Sequence, residues 1–94
     1  MIVVRNTFVA KPGLAGKLAA HMKEMGQLGN MRNCRVMTDV TGDFNHVVME
    51  HEVESLADFE AMMQKYASDP QIREKMKGYL DLWTSGKREL FSLA

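Results

Sequence analysis

The chain holds one cysteine, two prolines and no surplus of charge, and each scarcity excludes something. A lone Cys34 cannot close an internal disulfide, so a reducing compartment is expected, the cytoplasm first. Twelve basic and twelve acidic side chains cancel. No overall field therefore draws the chain to nucleic acid or to an anionic membrane. Apolar runs stop well short of bilayer-spanning length. Residues 1–13, MIVVRNTFVAKPG, lack the basic leader and long apolar core of a secretion signal. Glycine-rich phosphate loops and nucleophile elbows are missing too. Ninety-four residues leave room for a single domain, 1–94, with a small core.

What is present is strong alternation. Residues 45–59, NHVVMEHEVESLADF, read as a central strand running into a capped helix. Val47, Met49, His51 and Val53 fall on one strand face; His46, Val48, Glu50 and Glu52 fall on the other. One apolar and one acidic face suit an antiparallel sheet covered by helices on one side. Ser55-Leu56-Ala57-Asp58 fits a capping box, with the Asp58 carboxylate at the positive end of the helix dipole.

The same reading extends outward. Residues 2–11 form a first strand, with Ile2, Val4, Asn6, Phe8 and Ala10 on one face, broken at Pro12-Gly13. Leu14, Leu18, Met22, Met25 and Leu28 recur at helical spacing, and Gly26, Gly29 and Asn30 are expected to end that helix. Residues 33–41 make a second strand. Its even positions share a face with the odd positions of the third, which groups Val36, Val40, Val47 and Met49 and sets Arg35 against Glu50 or Glu52. A second helix ends near Tyr66. Asp69 caps a further helix with Pro70 in its first position; its stripe is Ile72, Met76, Tyr79, Leu80 and Trp83, and Gly86 closes it. Residues 87–93, KRELFSL, form the last strand, with Phe91 and Leu93 under the helices. The order β-α-β-β-α-β is the ferredoxin-like α+β arrangement, its second helical region split near Pro70 and its sheet ordered 4-1-3-2.

The helix-free face would then carry Arg5, Thr7, Val9, Arg35, Met37, Asp39, Val48, Glu50, Glu52, Arg88 and Leu90. Its interleaved opposite charges allow a two-fold contact with a second copy, which would give a small one-sided sheet more core. The central strands offer no exposed aromatics there, so base stacking on RNA is not expected.

The whole chain resembles the dimeric α+β barrel superfamily, in the neighbourhood of antibiotic biosynthesis monooxygenase-like and NIPSNAP-like domains. The resemblance rests on the first strand ending in Lys11-Pro12-Gly13, on VMTDVTGDFNHVVMEHEVESLADFEAM at 36–62, and on KRELFSL. It implies a homodimer, and a function somewhere among cofactor-free oxygenases, haem-degrading enzymes, small-molecule binders and domains without an assigned role. The resemblance to haem-degrading members would rest on Asn6, Lys11 and Gly13, but where those members carry a tryptophan and a histidine this chain has Met62 and Lys75. Iron ligation of that kind is not expected, and no cofactor is.

Two polar residues, Asn6 and His51, interrupt the apolar face, with Met62, Tyr66, Tyr79 and Trp83 as expected walls of a cleft above them. An apolar cleft with a few converging polar groups is the usual form of a ligand site. His51 is the candidate base and Asn6 the candidate oxyanion donor of a cofactor-independent oxygenase acting on a small aromatic or polyketide-type molecule. Trp83 could stack on its ring. The plainer reading is a packed histidine, a satisfied buried amide and a Trp83 that serves as core. The alternative function is a non-catalytic dimeric domain that binds a small hydrophobic ligand or acts as an assembly module. Nine methionines either pack the core or line a forgiving pocket. His46 and His51 lie on opposite faces and His21 on a separate helix, so no metal site is expected.

Overall fold

In the computed structural model, which describes residues 1–94, alternation in the first strand decides which side of the sheet is covered. Along β1 (Ile2–Ala10), Val4, Asn6, Phe8 and Ala10 are buried while the residues between them keep partial exposure. β1 pairs antiparallel with β3 (His46–Val53) on one side and with β4 (Trp83–Ser92) on the other; β2 (Arg32–Thr38) pairs with β3. The sheet order β2-β3-β1-β4 is the one the sequence predicts. The fold is α+β and ferredoxin-like, with its helices over one face of the sheet. No helix is long and apolar enough to cross a membrane.

α1 (Ala15–Leu28) has no side-chain cap, no acid in its first turn and no base in its last. Such a helix depends on what it buries: Leu18 and Met22 lie against Phe8, Ala10, Val47 and Met49, and Met25 is buried as well. Gly26 does not end the helix. A Cβ there would sit 2.6 Å from Cys34 Sγ, so the glycine is what lets α1 approach β2. The chain turns at Asn30, with φ of 50°.

The pairing of Arg35 with Glu50 and of Val36 with Met49 follows the predicted parity. Glu50 is almost fully buried between two arginines, with Arg5 Nε at 2.6 Å and Arg35 Nη2 at 2.7 Å. Val40, expected with the covered apolar group, lies in the β2–β3 connection and is 97% exposed. β2 ends at Thr38, before alternation can place it.

Ser55 Oγ accepts from the Asp58 amide at 3.2 Å and starts α2 (Leu56–Ser68). The reciprocal bond from the Ser55 amide does not form; Asp58 is one methylene shorter than the glutamate that usually makes it. Asp69 then accepts from the Gln71 and Ile72 amides, and Pro70 opens α3 (Pro70–Lys75).

The expected long stripe from Ile72 to Trp83 breaks up here. After α3 the chain passes through Gly78, at φ of 79°, into a 3-10 turn at Tyr79–Leu82, and Trp83 already begins β4. Ile72 is buried, but Leu80 is 70% exposed. Gly86 lies inside β4 opposite Phe8, whose ring would stand 3.0 Å from any added Cβ.

β4 also carries the opposite parity to the one expected. Arg88 and Leu90 pair with Asn6 and Val4 and so share the covered face. Phe91, paired with Val3, joins the free face, where the Arg5 guanidinium lies 5.0 Å from its ring; Phe91 and Leu93 are 42% and 58% exposed. An irregularity between Val9 and Ala10 brings Trp83, not Thr84, into register with Ala10 and turns its indole inward onto Phe8.

Candidate functional site

Three sheet strands, α1, α2 and the segment after α3 border a cavity of about 100 Å³. Val4, Asn6 and Phe8 of β1, Met49 and His51 of β3, and Arg88 of β4 form its floor. Its roof includes His21 of α1, Phe59, Met62 and Tyr66 of α2, then Tyr79 beyond α3. Seven of the nine methionines line it: Met22, Met25, Met31, Met49, Met62, Met63 and Met76. The methionine excess read from composition therefore has a place. Met22 and Met49 also belong to the packed core, so the flexible thioethers both fill the interior and border this space.

Of the six expected site residues, Asn6, His51, Met62, Tyr66 and Tyr79 line this one cavity. Trp83 does not. Its ring packs against Phe8 at 5.3 Å and Tyr79 at 5.6 Å, and its buried Nε1 has no hydrogen-bond partner. Tyr66 is committed as well, its hydroxyl donating to the Met25 carbonyl at 3.2 Å. Burial pushes the phenols of Tyr66 and Tyr79 above their ordinary value, so both remain protonated.

His51 is 2% exposed, and its Nδ1 is buried without a partner. Burial first, and the Arg88 charge second, lower its pKa; the imidazole is neutral near neutral pH and able to take a proton. Asn6 is held by a 2.8 Å bond from Arg88 Nε to its Oδ1. That bond leaves the Asn6 amide hydrogens for another acceptor. Val4 pairs with His51, and Asn6 with Arg88. The three polar residues thus run diagonally across β3, β1 and β4, His51 and Asn6 being diagonal neighbours about 7–8 Å apart on such a face.

Two cavity residues escaped the sequence reading. Arg88 was assigned to the wrong face because Phe91 and Leu93 look like the buried pair of the last strand. His21 was set aside as lying on a separate helix, although it stands three residues after Leu18 and four before Met25, on the same helical stripe. Its Nε2 is buried and unpartnered, and its ring stacks on Tyr79 at 5.4 Å. Burial lowers its pKa against a smaller opposing effect from Glu24, which is itself bound to Lys75 at 2.9 Å.

No three His, Cys, Asp or Glu side chains converge as a metal site. At the positions of interest for haem, Met62 is part of the cavity wall and Lys75 is engaged by Glu24.

These ionisations predict two separate acid transitions in stability. His21 and His51 have folded pKa values below their unfolded ones, so the unfolded chain binds more protons across that interval. Stability is complete above about pH 6.5, the ordinary imidazole value, and falls as pH drops below it. Glu50, held low by Arg35 first and Arg5 second, loses its contribution only further down, through and below the ordinary carboxylate range. Thermal melts of the protein between pH 4 and 8 should show the upper slope, and His51→Gln should flatten part of it. A wild-type melting temperature constant from about pH 7 to pH 5 would contradict neutral buried imidazoles.

No protein-family model and no curated protein matches this chain. Solved structures do. An uncharacterized NIPSNAP domain protein from Burkholderia xenovorans superposes with a TM-score of 0.86 at 18% identity, covering 100% of this chain and 95% of its own. A NIPSNAP family protein from Agrobacterium tumefaciens gives 0.85 at 16% identity, with 99% and 92% coverage. An antibiotic biosynthesis monooxygenase-like protein from Chloroflexus aurantiacus gives 0.74 at 16%, again over 99% and 92%. This chain therefore has the fold of these NIPSNAP-domain and antibiotic biosynthesis monooxygenase-like proteins. At these identities the likeness is one of fold.

Proposed function

We propose that the chain is a cofactor-independent monooxygenase-like enzyme for a small aromatic or polyketide-type substrate, with His51 as base and Asn6 as oxyanion donor. The observation that carries this reading is the convergence of an unpartnered, neutral imidazole and a free amide donor in one methionine-lined cavity. His51 takes the proton of a bound phenol or of an anthrone-type CH group. Asn6 donates to the oxyanion that results, away from bulk water. The electron-rich anion gives an electron to dioxygen. Recombination forms a C–O bond, and the hydroperoxide loses water: one oxygen atom stays as a new carbonyl, the other leaves in H2O. An engineered apolar cavity of roughly 150 Å³ is enough for benzene, so the present space of about 100 Å³ takes a one-ring body only with a small movement of its methionines. Larger rings require the methionines to change rotamer.

An oxygen electrode with 1-naphthol and 1,8-dihydroxyanthrone as probes tests the assignment. Oxygen uptake above the buffer rate, with quinone formed in equal amount to oxygen consumed, is the expected result. Absence of any acceleration would leave the second reading, a domain that binds a small hydrophobic ligand without chemistry, which the same cavity supports.

The partner proposed for residues 1–94, read as one cytoplasmic domain, is a second copy through the helix-free face. Besides the Arg5–Glu50–Arg35 cluster, that face holds Lys87, Glu89, Phe91 and the 38% exposed Met37. Mixed charge around apolar groups is self-complementary. Light scattering at micromolar concentration should return twice the mass of 10.7 kDa, and Phe91→Glu should shift it toward the monomer. A wild-type monomer mass would remove this proposal.

A further inference from the structure

Arg88 is the unusual charge of this sheet. Arg5 and Arg35 pair with Glu50, and Arg32 pairs with Glu54, but Arg88 pairs with no carboxylate. It stands on the covered face at the margin of the cavity, itself exposed, beside a lining made mostly of thioethers and rings. Its Nε is used on Asn6, and its guanidinium carbon lies 5.7 Å from the Phe59 ring centroid. One edge and one face are thus fixed, while both terminal nitrogens remain available. A guanidinium held in this way is suited to a two-point bond with a carboxylate, which a single ammonium would not match.

The opposite end of the polar diagonal has a different character. His51, 2% exposed, offers an unpartnered Nδ1, and His21 across the cavity offers an unpartnered Nε2. Neutral imidazoles suit a hydroxyl that can donate or accept. Between the two ends stands Asn6, and the rest of the lining is mostly apolar, seven of its residues being methionine. Thioethers adapt to shape and make favourable contacts with ring edges, so they hold an aromatic body without selecting one outline.

We infer that the cavity takes an aromatic hydroxy acid: a carboxylate on Arg88, a phenolic hydroxyl toward His51, and a ring against the methionines. This rests on the oxygenase reading for the role of the hydroxyl, but the acid requirement belongs to binding alone. The recognition is strict at the charged end and tolerant along the ring.

The single tryptophan, Trp83, packs on Phe8 and Tyr79, two of the cavity's own walls, so its fluorescence reports occupancy without turnover. Under anaerobic conditions, 4-hydroxybenzoate is titrated against its neutral counterpart 4-hydroxybenzamide. The wild type should bind the acid about tenfold to a hundredfold more tightly, the range for hydrogen bonds to a charged group. Arg88→Gln, whose side chain still reaches Asn6 as a donor, should remove that preference and leave amide affinity in place. Arg88→Lys should restore part of it. Retained amide binding also shows that the variant is folded. Equal wild-type affinity for acid and amide, an unchanged preference in Arg88→Gln, or no saturable response to the acid would each overturn the inference. Oxygen uptake that depends on His51 but is no more efficient with an acid-bearing phenol than with its neutral counterpart would spare the oxygenase reading and sink only this one; acid binding without oxygen uptake would do the reverse.

Discussion

His51→Ala is expected to lower oxygen consumption by roughly 10² to 10⁴-fold, the usual contribution of a positioned general base. The imidazole has no hydrogen-bond partner in the fold, so its removal takes away no internal bond. His51 is nevertheless one of the largest fully buried side chains, so its truncation also opens a void and lowers the melting temperature, and the rates are compared well below the melt of the variant. A wild-type pH profile supplies a second readout that a structural role would not move. The base must be neutral to act, and burial together with Arg88 lowers its pKa. Activity should consequently be retained down to about pH 6.5, with its acid limb below that value. An unchanged rate in His51→Ala, or an acid limb well above pH 7, would remove His51 as the base. Asn6→Ala should cost less than an isolated donor would, because it also releases Arg88 from its 2.8 Å bond.

The second large effect is on folding. Leu18 is fully buried at the centre of the contact between α1 and the sheet, with Phe8, Met22, Val47 and Met49 in the same cluster. Leu18→Ala should destabilise the protein by about 2–5 kcal/mol. Methionine relaxes into a void more readily than branched side chains, so the lower half of that range is expected. In a chain of this size the loss appears as a fall in melting temperature of on the order of 10–20 °C. The substituted position lies outside the polar diagonal, so ligand affinity at low temperature should be little changed. A loss under about 1 kcal/mol would mean that α1 is not anchored there.

Val4, Phe8, Val47 and Met49 were legible as core because each lies on a central strand with neighbours on both sides. There the period of two and the apolar pattern coincide. The capped start of α2 was legible at Ser55, and the start of α3 at Asp69-Pro70, since both signals act within three residues. Asn6 and His51 could be placed in one cleft for the same reason.

β4 was not legible in this way. It is an edge strand with KRELFSL as its pattern, in which apolar residues fall on both parities. Hydrophobicity pointed Phe91 and Leu93 inward; pairing with β1 turned Arg88 and Leu90 inward instead. Trp83 and Gly86 lie in β4, where the sequence predicts the last stripe residue and the end of the helix that begins at Pro70. Neither the Phe8 ring that requires the glycine nor the register irregularity that turns the indole is a local property.

The sequence by itself determined the order of elements, the covered face of the central strands and the presence of two polar groups within it, because strand alternation and helix capping are settled over a few bonds. Only the tertiary structure decided that Arg88 and His21 join them around a space bounded by thioethers. That outcome depends on strand register and on the closing of helices over a sheet, which side chains distant along the chain fix together.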